Sequence, residues 1–239
     1  MSTPAPSTPQ MLRIGRAPLL NRLIGKAMAL AYRLVGKDRY DDYCVERVGD
    51  TPFLVLPSVF NPKVPRTGEF LASMLDASRV KRDFSVLDMG TGSGVGAVFA
   101  ARYAARVVAV DINPAAVRCA HINAVVNHVE DRIEVRHGDL FAAVPGEQFD
   151  LILFNPPFLR GAPRDDRDRA WRSSDIAERF AAGLHDGLKP EGYALVLLST
   201  FGDAEHFLEQ FYRAGLGVSV AAERRFVNET LTIFKLQRS

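Results

Sequence analysis

The chain has 239 residues, 47% of them apolar and 24% charged, with a formal net charge of +2; this is the balance of an ordinary globular protein with room for one full α/β domain and an N-terminal extension. No apolar run approaches the length of a membrane span, which argues against a membrane partner. The two cysteines, Cys44 and Cys119, and the five histidines lack metal-ligand spacing, so no metal and a cytoplasmic location with reduced thiols are expected.

Residues 1–17 open on a Pro/Ser/Thr-biased stretch with neither the charged nor the apolar region of a secretory signal, and are expected to form a disordered tail. Basic charge gathers early: residues 11–40 hold seven Lys and Arg against the single acid Asp38. Within that stretch, residues 18–36 read as an amphipathic helix, with leucines and other apolar residues at three- and four-residue steps. Arg22, Lys26, Arg33 and Lys37 form the opposite stripe, which suits a solvated face, contact with substrate or nucleic acid, or a membrane surface. Residues 44–56 read as a hairpin turning at Gly49-Asp50, followed by a proline-rich segment, 57–66, and a helix over 67–75. The helix, hairpin and covering segment together make up residues 18–76, ahead of a catalytic domain over 77–239.

From residue 84 the chain alternates strand and helix. Apolar runs at 84–88, 107–111, 132–136, 149–154, 193–198, 217–222 and 230–236 predict seven strands, with helices over 94–104, 114–127, 174–188 and 203–214. Continuous apolar strands separated by helices indicate a Rossmann-like α/β fold, a mostly parallel sheet covered on both faces.

The first of these strands runs into Asp88-Met89-Gly90-Thr91-Gly92-Ser93-Gly94 and then a helix, the context that a nucleoside- or dinucleotide-binding loop requires. Glycines at 90, 92 and 94 let the backbone approach a ligand where a Cβ would collide. Asp111 closes the next strand, placed to accept both ribose hydroxyls, and Ile112 offers an apolar face to a base. Enzymes that use NAD carry such an acid as well, but nothing after residue 140 suggests a nicotinamide site.

The fourth strand ends in Asn155-Pro156-Pro157-Phe158. A planar amide or amino nitrogen is a poor nucleophile, because its lone pair is delocalised. It reacts when its NH₂ group is held with the lone pair aimed at the incoming carbon. The Asn155 side-chain oxygen can accept one N–H, and a carbonyl of the rigid Pro156-Pro157 pair the other. Phe158 supplies a flat stacking face. Positioning accomplishes most of such catalysis, and no strong base is needed.

With these motifs in place, residues 84–199 resemble the class I S-adenosylmethionine-dependent N-methyltransferases with an Asn-Pro-Pro-aromatic motif. These include the release-factor glutamine methyltransferases and the adenine-N6 and guanine-N2 nucleic-acid methyltransferases. The resemblance implies a seven-stranded sheet with its last strand antiparallel, and S-adenosyl-L-methionine as cofactor. It places Asp88 near the cofactor's ammonium and Asp139, with Leu140 beside it, at the adenine amino group. Asn155 lies between cofactor and acceptor. The stretch from Val59 to Leu71 is similar to the segment that closes over the cofactor in the glutamine enzymes, and Thr67, with Arg66 beside it, would then line the methionine end. Two departures stand out: Phe158 replaces the usual tyrosine, and only about forty residues precede the hairpin where those enzymes carry a larger recognition domain. The expected acceptor is foremost a protein glutamine side chain; the alternatives are the exocyclic amine of a nucleic-acid base and a small-molecule nitrogen. The charged run 160–172 follows the acceptor motif and suits either a border of the substrate site or a solvated surface loop, and its sole tryptophan, Trp171, suits either the lip of that site or the core.

Overall fold

The computed structural model describes residues 42–62, 66–157, 159–160, 172–173, 175–227 and 229–239. The expected tail, the basic helix over 18–36, Phe158 and most of the charged run with Trp171 lie outside the described residues.

The hairpin forms as expected. Strands β1 (Cys44–Val48) and β2 (Thr51–Val55) pair antiparallel from Cys44↔Val55 to Val48↔Thr51, and Gly49 turns between them at φ +57°. Helix α1 (Thr67–Ala72) follows, ending three residues before the expected limit.

The body then alternates: β3 (Ser85–Met89), α2 (Val95–Ala101), β4 (Arg106–Asp111), α3 (Pro114–Val126), β5 (Ile133–His137), a short 3₁₀ turn at Leu140–Ala143 and β6 (Phe149–Phe154). Two-residue strands β7 (Leu159–Arg160) and β8 (Arg172–Ser173) pair with each other. The chain finishes with α4 (Ile176–Gly187), β9 (Leu188–Ser199), α5 (Ala204–Arg213), β10 (Leu216–Arg225) and β11 (Thr230–Arg238). Seven strands form one sheet in the order β10-β11-β9-β6-β3-β4-β5, in which only β11 runs against the others.

Successive side chains of a strand point to opposite faces, and both faces are apolar here. Val86, Val107, Leu151, Leu153 and Leu195 face one core with α1 and α2, while Leu87, Val108, Ile152, Phe154 and Val196 face the other with α4 and α5. Each buried leucine or phenylalanine of these layers contributes about 1.5–3 kcal/mol.

Two strands outrun the apolar pattern that predicted them. β9 begins at Leu188 rather than 193, through an irregular stretch between Phe149↔Leu188 and Leu151↔Tyr193; Gly192 passes so close that a Cβ would stand 2.7 Å from the Phe149 carbonyl oxygen. β10 continues to Arg225 because Glu223, Arg224 and Arg225 pair through their backbone with β11, although their side chains are polar and exposed.

The strand order reverses between β3 and β6. Chains diverge there, and the crevice at the carboxyl ends of the strands is where α/β sheets bind ligands. The parallel register Met89↔Phe154 and Met89↔Val110 brings Gly90, Asp111 and Asn155 side by side at that crevice.

Candidate active site

A cavity of about 300 Å³ opens at this reversal. Its lining includes Asp88, Gly90, Gly92, Asp111, Ile112, Asp139, Leu140, Asn155, Pro156 and Pro157, and Phe60 and Pro62 cover it from the proline-rich segment. The sequence-predicted residues thus converge, apart from Phe158, Gly94 and Thr67. Phe158 is not described, and the other two act from behind the lining.

The glycine loop has a left-handed backbone at Gly90 (φ +64°), Gly92 (φ +57°) and Gly94 (φ +84°). Gly94 is constrained twice, since a Cβ there would also come within 3.0 Å of the Ala120 backbone on α3. Asp88 is buried at the root of the loop, where its Oδ2 accepts from the Thr91 hydroxyl (2.6 Å) and the Ala97 amide (2.8 Å). Burial pushes its carboxyl up to about 6, and those two donors oppose the shift. Gly96, which the sequence reading passed over, leaves space for this carboxylate: a Cβ would lie 2.5 Å from Asp88 Oδ1. Asp88 therefore lines the cavity, but its carboxylate is first of all the brace of the loop.

Asp111 is half-buried. Its Oδ2 accepts from the Gly92 amide and its Oδ1 from the Asn113 amide, both at 2.9 Å. Desolvation raises its carboxyl above the ordinary value, against those main-chain donors. Each oxygen keeps a second lone pair, so the group is oriented yet can still accept from a vicinal diol. Ile112 is 36% exposed beside it, and its carbonyl lies 3.0 Å from His137 Nε2.

Asp139 lines the cavity with a cationic partner beside it. Arg179 Nη2 on α4 donates to its Oδ2 at 2.7 Å, and Arg179 also lines the cavity. No motif marked Arg179, because an arginine in an exposed helical position reads as solvated surface.

Thr67 departs most from its expected place. It is fully buried and does not line the cavity; instead its Oγ1 accepts from Asn155 Nδ2 at 3.2 Å. The Asn155 amide is thereby held with Oδ1 turned the other way. That oxygen is buried and has no hydrogen-bond partner among the described residues. A buried acceptor without a donor costs about 1–3 kcal/mol, and such an atom beside a cavity is a place where a ligand N–H can bind.

Asn123 is another residue that sequence reading missed. It is fully buried on α3, where its Oδ1 accepts from Leu54 N (2.8 Å) and its Nδ2 donates to Leu54 O (2.7 Å) and Ser93 O (2.8 Å). One side chain thus ties the hairpin, the helix and the glycine loop together. Asn113 adds a second tie: it caps α3 through the Ala115 amide and donates to Ser58 O at 2.9 Å, fixing the covering segment.

Among the described residues no cluster of His, Cys, Asp and Glu could hold a metal, and no helix is long and apolar enough to cross a membrane.

Comparison with known proteins agrees with this geometry. Residues 50–227 match the family model described as the methyltransferase small domain. The release factor glutamine methyltransferase of Koribacter versatilis is 36% identical over 160 residues, which is 60% of this chain and 56% of that protein. A Methanocaldococcus jannaschii protein named as a candidate protein N5-glutamine methyltransferase is 32% identical over 162 residues, covering 64% of this chain and 81% of the relative. The solved T. thermophilus 16S rRNA guanine-N2 methyltransferase, in complex with AdoMet and guanosine, shares the fold with a TM-score of 0.58 at 24% identity, over 82% of this chain and 50% of that one.

Proposed function

The chain belongs to the methyltransferase small domain family, and from that premise we propose that it transfers a methyl group from S-adenosylmethionine to a planar nitrogen, foremost the side-chain amide of a protein glutamine. The observation that carries the proposal is the buried, unpartnered Asn155 Oδ1 beside the glycine loop.

The residues suit the cofactor. Gly90 and Gly92 present bare backbone, Asp111 presents an oriented carboxylate for ribose hydroxyls, and Ile112 and Leu140 present apolar surface to a base. Asp88 and Asp111 add negative charge where a cationic ligand would lie, and the Arg179–Asp139 pair stands at the rim. When bound, the cofactor supplies an electrophilic methyl on a sulfonium.

The chain's own contribution is orientation. Asn155 Oδ1 accepts one N–H of the acceptor NH₂, and a carbonyl in the Pro156-Pro157 segment accepts the other. Both acceptors sit on rigid backbone at the end of β6. Two N–H···O bonds fix the NH₂ plane, and so the direction of the nitrogen lone pair. The proton released after transfer is acidic and needs no dedicated base.

The reading extends from the relatives whose names specify glutamine. Its test is methyl transfer from isotope-labelled S-adenosylmethionine into a cell lysate, followed by parallel protease and nuclease digestion. Label released by protease alone, found by mass spectrometry as methylglutamine, supports the reading. Release by nuclease alone would replace it with the base-amine acceptor, and label in neither fraction with a small molecule. Asn155→Ala is expected to cut incorporation about 10²–10³-fold in every case while cofactor affinity stays nearly unchanged.

A further inference from the structure

The segment that carries Asp139 does not orient its carboxylate. Asp139 opens the 3₁₀ turn Leu140–Ala143, yet its side chain caps none of that turn's amides, and the next residue, Leu140, has a left-handed backbone at φ +48°. The direction comes instead from α4, where Arg179 Nη2 donates to Asp139 Oδ2 at 2.7 Å. Arg179 is itself steered from one turn earlier, with its Nη1 3.9 Å from the Asp175 carboxylate. Asp139, Asp175 and Arg179 all line the cavity.

Helix α4 is a firm base for this contact. Its Phe180 ring stacks on Phe154, the residue before Asn155, at 4.2 Å between ring centres, and meets Phe141 of the 3₁₀ turn at 5.7 Å. Phe141 in turn lies against the bare backbone of α4; a Cβ on Gly187 would stand 2.5 Å from its ring. One helix thus aligns the Asp139 turn with the end of β6, and Arg179 carries that alignment to the carboxylate.

Stability does not account for the pair. The Arg179 side chain is 44% exposed and that of Asp139 42%, and ion pairs in such a setting add little to folding. Direction survives exposure, because a charge-assisted hydrogen bond sets where the carboxylate points. With Oδ2 engaged, Oδ1 is left for a donor in the cavity. Charge separates this acid from the other two as well. Asp88 and Asp111 accept from a hydroxyl and from main-chain amides, none of them charged. The donor to Asp139 is a cation. A neutral base with an exocyclic amine suits a carboxylate compensated in this way, and a cationic end of the ligand suits the other two.

We infer that Arg179 is a positioning residue: acting through Asp139, it sets the preference of the cavity's base end for a purine that carries an exocyclic amine. The inference rests on the S-adenosylmethionine reading and adds to it how the base is selected.

The test titrates the full chain calorimetrically with S-adenosylhomocysteine and with S-inosylhomocysteine, in which a carbonyl replaces the amine. The parent is expected to bind the amine-bearing ligand about 10- to 100-fold tighter, the range for one hydrogen bond to a charged group. Arg179→Gln should lower that ratio to about threefold or less, and Arg179→Lys should restore most of it. In an Asp139→Ala background, Arg179→Gln should leave the ratio where Asp139→Ala alone puts it. The unfolding temperature should stay within about 4 °C of the parent, as loss of an exposed ion pair allows. A ratio that Arg179→Gln leaves unchanged overturns the inference even if both ligands bind more weakly, since Arg179 would then touch the ligand elsewhere or merely support the fold. A further fall in the ratio in the Asp139→Ala background overturns it too, because Arg179 would then read the base directly. A parent that binds both ligands equally keeps the cofactor reading and refutes the selection of the base. A parent that binds neither refutes the cofactor reading, and the inference with it.

Discussion

Replacing Thr67 by valine separates two accounts of that residue. Valine has nearly the same shape, so the fully buried site keeps its packing and loses only the hydroxyl. The lost contact is the 3.2 Å bond from Asn155 Nδ2. A net hydrogen bond contributes about 0.5–1.5 kcal/mol. If that bond orients the acceptor-holding amide, its loss raises the barrier by as much, and kcat falls roughly three- to tenfold. Asn155→Ala removes the acceptor oxygen itself and should cost about 10²–10³-fold, as loss of one preorganised hydrogen-bonding group at a reacting centre does. Steady-state methyl transfer, with calorimetric titration of S-adenosylhomocysteine, measures both quantities. The expected signature of Thr67→Val is a lower kcat with cofactor affinity unchanged, and Thr67→Ser should restore the rate. A variant that loses cofactor affinity at constant kcat would return Thr67 to the methionine end of the ligand, where the sequence put it. No change in either parameter would refute the orienting role altogether.

Three further substitutions probe the rest of the site. Asp111→Asn should weaken cofactor binding about 10- to 100-fold, the range for one charged hydrogen bond, with kcat at saturation preserved; calorimetry reads it directly. Asn123→Ala strands Leu54 and Ser93 without their partner, and unfolding should show a loss of about 2–4 kcal/mol, a Tm drop of roughly 5–15 °C. Asp88 has a folded-state value of about 6 against an ordinary 3.8, so the native state binds the proton more tightly than the unfolded chain does. Its contribution is therefore greatest in acid, and roughly 3 kcal/mol is lost as pH rises from below 4 through 6. Urea unfolding of Asp88→Asn across that window should lack this decline, and a decline parallel to that of the parent would refute the assignment.

What the sequence made legible has a common property: the constraint is carried by neighbours in the chain. Gly90, Gly92 and Gly94 are bound to one turn, and Asn155, Pro156 and Pro157 to one strand end. Asp111 is found by counting one strand onward. The residues that escaped notice are defined by partners far away. Asn123 meets Leu54 across 69 residues and Arg179 meets Asp139 across 40; on their helices they look like ordinary polar positions. Thr67 was singled out, but the 88-residue separation from Asn155 hid the bond that its hydroxyl accepts. The irregular start of β9 and the polar end of β10 were missed for a related reason, since strand pairing there is a main-chain property that apolar patterning does not record.

Two motifs about sixty residues apart become one site only through the register of β3 against β6. A slip of one residue would turn every side chain of a strand to the other face, parting Gly90 from Asn155 and exchanging the two cores. Apolar alternation resists that slip only where the faces differ in shape, and here both faces are apolar. A polar lock at the opposite end of the strands supplies what alternation lacks. The Asp150 carboxylate accepts from the Ser85 amide at the start of β3 and from Lys189 Nζ at the start of β9, each at 2.7 Å. Those bonds tie β6 to both of its neighbours in one alignment, Met89↔Phe154 at the far end. A residue that does not line the cavity thus helps decide whether the glycine loop and Asn155 meet.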